Sequence, residues 1–225
     1  MMPRIIIDGQ IKSISIMQIL AFILCTLIGV ILSLPFHEFG HCIFYWIQGI
    51  PAAMSMTKEF PLRNISVNQY AFGSFGGILF TWLATILFFS LQNYFTRKNR
   101  KGKTIVQALF LGQSMLGFIY MLQLILKGDK GELLFIENSL HLPLNSLALF
   151  TFILALTLLI FFLRKLRIKI GFQEIVFFFL LFLLSIISVS MIGELDKNLF
   201  WRKFPAIKIG DVKTYNEPLP KLRIE

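Results

Sequence analysis

The sequence predicts an all-α protein, a polytopic transmembrane helical bundle of about five spans. Of its 225 residues, 56% are hydrophobic and 25 are phenylalanine, and the mean hydropathy is +0.73. A soluble domain of this size needs far more polar surface. Apolar runs long enough to cross a bilayer recur along the chain, and this recurrence is typical of helical membrane proteins.

The five spans form one predicted bundle over residues 1–192. The apolar segments cover residues 13–49, 72–94, 104–126, 142–163 and 170–192, and a polar tail covers 193–225. The first segment is the longest: as a helix it would measure about 55 Å, more than the ~30 Å of the hydrocarbon core. Pro35 predicts a kink in this segment. Tyr45 and Trp46 predict an aromatic anchor at the far interface.

The net charge of +10 lies mostly in short clusters beside the apolar runs, such as TRKNRKGK (96–103) and RKLRIK (164–169). Such clusters are typical of cytoplasmic loops that meet anionic lipid, so we expect membrane lipid and no nucleic acid as a partner. Charges near the span ends favour a cytoplasmic N-terminus. The chain is therefore predicted to be an integral, multi-pass protein of the cell membrane. Cys25 and Cys42 lie in apolar sequence and predict buried thiols rather than a disulfide.

The stretch LPFHEFGHCIFYW (34–46) places three ionisable residues in the first span. Its HEFGH segment matches H-E-x-x-H, in which residues i and i+4 share a helix face, so His37 and His41 can bind one zinc ion. Zinc lowers the pKa of a bound water toward ~7, and Glu38 can take its proton during attack on an amide carbonyl. The competing interpretation is an incidental polar cluster with satisfied core histidines. We favour the metal site because ionisable groups in a membrane segment are costly unless they are paired or liganded.

A catalytic zinc usually has three protein ligands. If the spans alternate, the end of the third span lies on the same side of the membrane as HEFGH, and Asp129 follows that end. We therefore predict Asp129 as the third ligand, although it could instead be a simple turn residue. The alternatives in the same loop are His141, Glu132 and Glu137.

The second span opens with GSFGG (73–77) on this same side. Close helix packing is the simpler explanation of its small residues. The functional alternative is that the segment lies beside the metal and helps to hold an extended substrate strand.

Together, HEFGH in a membrane helix, GSFGG at the next helix and GD after a later one resemble the site-2 protease family of intramembrane zinc metallopeptidases. The resemblance covers roughly residues 15–135. It implies His37, His41 and Asp129 as zinc ligands and Glu38 as the general base. The implied activity is endopeptidase cleavage of a transmembrane or membrane-adjacent segment of another protein or peptide.

The rival hypothesis is a non-catalytic membrane protein, either a pseudoprotease or a metal-binding or transport protein, that uses the same histidine pair. A transporter usually places polar residues in several spans, and spans two, four and five hold few. Glu38 argues against a pseudoprotease, because binding alone needs no general base.

Overall fold

The computed structural model describes residues 4–7, 10–13, 16–97, 103–127, 132–143, 145–165, 172–204, 207–210 and 212–214. In these residues the chain forms an all-α bundle, which confirms the predicted fold class. Its helices are α1 (Ile16–Ile47), α2 (Val67–Arg97), α3 (Lys103–Lys127), α4 (Glu132–Ser139), α5 (Ser146–Lys165) and α6 (Phe172–Leu199). Three short antiparallel hairpins accompany them: β1 (Arg4–Ile7) with β2 (Gln10–Ser13), β3 (Ala52–Met54) with β4 (Glu59–Pro61), and β5 (Ile207–Ile209) with β6 (Val212–Thr214).

Four of the described helices are long and apolar enough to cross a membrane. These candidate spans are Ile19–Ile47, Val67–Phe95, Ser146–Arg164 and Ile175–Leu199. The described apolar part of α3, Ile105–Met115, is shorter. The chain is therefore a membrane protein by the length and composition of its helices. Helix α1 continues through Pro35, and α6 runs past the predicted end at 192 to Leu199.

Helix α1 has one face turned outward and one turned into the bundle. An outward stripe recurs at every fourth residue, with Leu20, Leu24, Ile28, Leu32 and Phe36 all exposed. The inward face carries Val30, Leu34, His37, His41 and Tyr45, all buried. This separation follows from the helical repeat, in which residues three and four apart share a face. The ionisable residues of HEFGH therefore face the protein interior rather than the outside of the bundle.

Glycines allow α2 to lie directly against α1. Gly40 and Gly76 lie back to back, because a Cβ atom on either would overlap the carbonyl oxygen of the other. One turn away, Gly73 lies over the ring of Tyr45. Tyr45 is fully buried there, so the prediction of an interfacial anchor was wrong for this residue, whereas Trp46 is 49% exposed. The close packing expected of GSFGG is thus what the structure contains.

Helix α1 ends in a turn that sends the chain back along the helix. The N–H of Gly49 donates to the Trp46 carbonyl and that of Ile50 to the Tyr45 carbonyl, the two bonds of a Schellman motif. Gly49 has a φ of 67°, a left-handed conformation that glycine adopts without steric cost. Strands β3 and β4 follow at once and pack against α1.

The end of α6 returns to this same hairpin. The Asp196 carboxylate, buried in the last turns of α6, accepts hydrogen bonds from the β3–β4 turn at Ser55, Met56 and Thr57. Beyond α6, the backbone of β5 bonds to Ile65. The stretch predicted as a polar tail therefore contains the last turn of α6 and a hairpin that packs beside the chain following α1.

Candidate metal centre

The ionisable residues of HEFGH lie on the buried face of α1, where α1 crosses α2. His37 and Glu38 are each 6% exposed and His41 is fully buried. The crossing of Gly40 and Gly76 brings the α2 backbone close enough to contact both imidazoles. His37, Glu38 and His41 thus lie together by their spacing along α1, and α2 packs over them.

Each imidazole uses its Nδ1 atom to bond to α2. His41 Nδ1 lies 2.9 Å from the Gly73 carbonyl oxygen, which can only accept, so this Nδ1 carries the proton. His37 Nδ1 lies 2.9 Å from the Thr81 hydroxyl. That hydroxyl donates its single hydrogen to the Gly77 carbonyl oxygen at 3.0 Å, and it therefore accepts from His37. These acceptors favour the tautomer in which Nδ1 carries the proton on both rings.

One further contact bears on the His41 tautomer. The Gly77 N–H lies 3.3 Å from His41 Nδ1. An Nδ1 that donates to the Gly73 carbonyl has no lone pair left to accept this N–H. The shorter contact decides the tautomer, because a carbonyl oxygen has no hydrogen to give.

The two Nε2 atoms point at each other, 2.9 Å apart. When Nδ1 carries the proton on both rings, the two Nε2 lone pairs converge and can share one cation, either a proton or a metal ion. Two nitrogen ligands of a tetrahedral zinc ion lie about 3.3 Å apart, given Zn–N bonds of about 2.0–2.1 Å. A slight opening of the pair therefore fits zinc.

Metal-binding histidines almost always donate their second ring N–H to a carbonyl, carboxylate or water, which fixes the tautomer and the ring orientation. The Gly73 carbonyl meets this description for His41, and the Thr81 hydroxyl does so for His37. The α2 backbone at Gly77 packs directly against the two imidazoles. A Cβ atom there would overlap the His41 ring and would lie 2.8 Å from His37 Cε1. Only a residue without a side chain leaves room for the two imidazoles.

A second carboxylate, which the sequence did not single out, lies at the same place. One ligand atom each of Glu38, His41 and Glu59 lies within 4.8 Å of the other two, and all three residues are buried. Glu59 belongs to β4, on the hairpin that folds back along α1. We call His37, Glu38, His41 and Glu59 the metal centre from here on. The only sequence signal for Glu59 is a glutamate beside an apolar residue in a stretch expected to be a loop.

The alternatives to the predicted third ligand lie in different places in the structure. Asp129 lies outside the described residues. Glu137 is buried, but its carboxylate accepts the N–H groups of Asn145 and Leu147 at 2.6 and 2.8 Å and so caps the start of α5. His141 is exposed in the turn before α5, with a φ of 52°. Glu132 is the first residue of α4.

No protein-family model, no characterised protein and no solved structure matches the chain. The chemistry of the site therefore has to be argued from its own residues. Two imidazole nitrogens with two carboxylates form the nitrogen and oxygen donor set that zinc accepts. The residues present fit a zinc ion.

Proposed function

We propose that this chain is an intramembrane zinc metalloendopeptidase, a hydrolase that cleaves a transmembrane or membrane-adjacent peptide segment. The observation that carries the proposal is the geometry of HEFGH: the Nε2 atoms of His37 and His41 face each other 2.9 Å apart in a buried site, and a Glu38 carboxylate oxygen lies within 4.8 Å of a His41 ring nitrogen. Here one nitrogen of each ring is directed at a shared point.

Each residue of the centre has a distinct task in hydrolysis. His37 and His41 would hold the metal through Nε2, while their Nδ1 bonds to α2 keep the rings in place. When bound, zinc supplies Lewis acidity that lowers the pKa of a water molecule to about 7. Glu38 would accept a proton from the water that attacks the peptide carbonyl carbon, and would then pass that proton to the leaving amine. General base catalysis of this kind contributes about 100- to 10,000-fold to the rate.

The location of the centre supports a membrane substrate. It lies within a candidate span, Ile19–Ile47, and the outer face of the same helix turns Phe36 and Phe39 outward at 41% and 38% exposure. A peptide bond reaches such a site most directly from the membrane. Because the backbone groups of a helix are already hydrogen-bonded to each other, the substrate must unwind locally before water can attack.

The experiment uses the full chain purified in detergent and the Glu38→Gln variant. We expect wild type and Glu38→Gln to retain about one zinc ion per chain, as measured by elemental analysis, and His37→Asn/His41→Asn to retain none. Membranes from cells that express each form are then compared for new protein N-termini by mass spectrometry. New termini in membrane segments should be present with the wild type and absent with Glu38→Gln.

Two results would contradict the proposal. One is a wild-type protein that binds no zinc, even when the zinc concentration is raised to the level at which non-specific binding begins. The other is a set of new termini that Glu38→Gln leaves unchanged. Zinc bound with no new termini in either form would instead favour the non-catalytic metal-binding protein.

A further inference from the structure

The side chain of Glu59 faces the metal centre because of the alternation of β4. Its neighbours Lys58 and Phe60 face the other way, toward the segment after α6: the Lys58 ammonium lies 4.6 Å from the Trp201 ring centroid, and Phe60 stacks on Phe204 at 3.9 Å. Successive side chains of a strand point to opposite faces. Glu59 therefore points toward α1, where its carboxylate joins Glu38 and His41.

The hairpin that carries Glu59 is held at both ends. At its base, the Schellman motif at Gly49 returns the chain toward α1. At its tip, the Asp196 carboxylate accepts the Ser55 hydroxyl at 2.6 Å, the Thr57 hydroxyl at 2.7 Å and the Thr57 N–H at 2.9 Å. Two separate elements thus fix the position of β4. Glu59 therefore lies at the centre because contacts at both ends of the hairpin fix its position.

Charge also indicates a cation at this point. Glu38 and Glu59 are each 6% exposed, and their ligand atoms lie within 4.8 Å of each other. Buried carboxylates are costly unless they are paired or coordinate a metal, and two side by side repel. The nearest lysine in the sequence, Lys58, turns its ammonium onto Trp201. A divalent cation held between the carboxylates and the imidazoles would offset this cost.

We propose that Glu59 is the third protein ligand of the metal centre, so that His37, His41 and Glu59 hold the zinc ion while Glu38 acts as the base. The proposal rests on the proposed function, because it presupposes the zinc site. Helix α1 supplies the two nitrogen ligands, and the returning hairpin supplies an oxygen ligand from a separate element. Two histidines and one glutamate leave the fourth zinc position for water, as catalytic sites require. Glu59 then takes the role that the sequence predicted for Asp129.

The test compares carboxylate-to-amide substitutions in the full-length purified protein. Glu59→Gln should weaken zinc binding by more than about 100-fold, because loss of a ligand exceeds the effect of an outer-shell change. Asp129→Asn should bind zinc as the wild type does. Glu194→Gln is the matched control, since Glu194 is exposed and 3.6 Å from Lys197. Zinc affinity is measured by competition with a chromogenic chelator, and elution volume in size-exclusion chromatography reports folding.

A second variant keeps the test decisive if Glu59→Gln misfolds. Glu59→His offers nitrogen in place of oxygen, so a chain loaded with Co²⁺ should show a shifted visible absorption band if residue 59 is a ligand. A residue with only a structural role would leave the band of the two-histidine centre unchanged. If wild type binds zinc, an unchanged cobalt band in Glu59→His, or wild-type affinity in Glu59→Gln, overturns the role of Glu59 but leaves the proposed function standing. If wild type binds no zinc, the proposed function itself fails.

Discussion

Individual atoms of α2 fix the orientation of the two histidine rings of α1. The Gly73 carbonyl and the Thr81 hydroxyl each accept an Nδ1 hydrogen, and Gly77 leaves space for both rings. The direction of the two Nε2 atoms follows from these acceptors, because a ring with Nδ1 fixed has only one nitrogen left to offer.

Thr81→Val should weaken zinc binding by about 10- to 100-fold, since it removes the acceptor that orients His37. Thr85→Val is the matched control: Thr85 is also buried on α2, and its hydroxyl bonds only to the Thr81 carbonyl in the described contacts. Zinc titration of both purified variants checks the prediction. Equal losses in the two would show that the Thr81 hydroxyl has no special role.

Gly77→Ala should lower both zinc affinity and stability, because the added methyl group overlaps the His41 ring. Overpacking of this kind costs about 1–3 kcal/mol. Gly193→Ala serves as the control, since a Cβ there meets nothing within 4 Å, and replacing a helical glycine stabilises by about 0.5–1 kcal/mol. Thermal unfolding and zinc content are measured for both. A Gly77→Ala protein with wild-type zinc content would refute the proposed use of this space.

The short hairpin β3–β4 brings Glu59 next to Glu38 and His41, and α6 holds this hairpin in place. Sequence reasoning predicted only a loop between the first two spans, because three-residue strands are too short to show a two-residue periodicity. The signals that exist are local: Gly49 after the helix, and Pro51 soon after it. Neither indicates which part of α1 the returning chain will contact.

Asp196→Asn should loosen this hairpin without unfolding the bundle. The substitution removes the charge that accepts five hydrogen bonds, from Ser55, Met56, Thr57 (two bonds) and Trp201. Loss of a buried hydrogen-bond partner of this type destabilises the folded hairpin by about 1–3 kcal/mol. Hydrogen exchange in residues 52–61 should therefore accelerate by about an order of magnitude or more, while that of α2 stays unchanged.

Zinc affinity should fall together with the protection of the hairpin against hydrogen exchange, because Glu59 lies on this hairpin. Glu194→Gln, two residues from Asp196 but exposed, should change neither quantity. If Asp196→Asn exchanges as the wild type does, the carboxylate is not what holds the hairpin.

The ends of distant helices meet on one side of the bundle. Asp196, near the C-terminal end of α6, accepts hydrogen bonds from the β3–β4 turn, and β5 bonds to Ile65 just before α2. The predicted five-span alternation, which counts α3 as a crossing besides the four candidate spans, places the ends of α1 and α6 on the same side of the membrane.

Cysteine labelling tests this arrangement. In a chain without Cys25 and Cys42, Arg63→Cys and Glu194→Cys should react with a membrane-impermeant maleimide from the same side, and Arg164→Cys from the other. All three native side chains are exposed. Labelling of positions 63 and 194 from opposite sides would rule out the five-span arrangement. The side that reacts in intact cells also decides whether the N-terminus is cytoplasmic.

The sequence alone determined what depends on near neighbours in the chain. Hydrophobic runs locate the helices because each residue contributes to burial in lipid independently, and the HEFGH spacing places His37 and His41 on one face because the helical repeat is fixed. Only the tertiary structure decided which nitrogen each ring offers and that Glu59 joins them. Those features depend on a glycine crossing between two helices and on a left-handed turn at Gly49, whose consequences appear only when segments far apart in the chain are packed together.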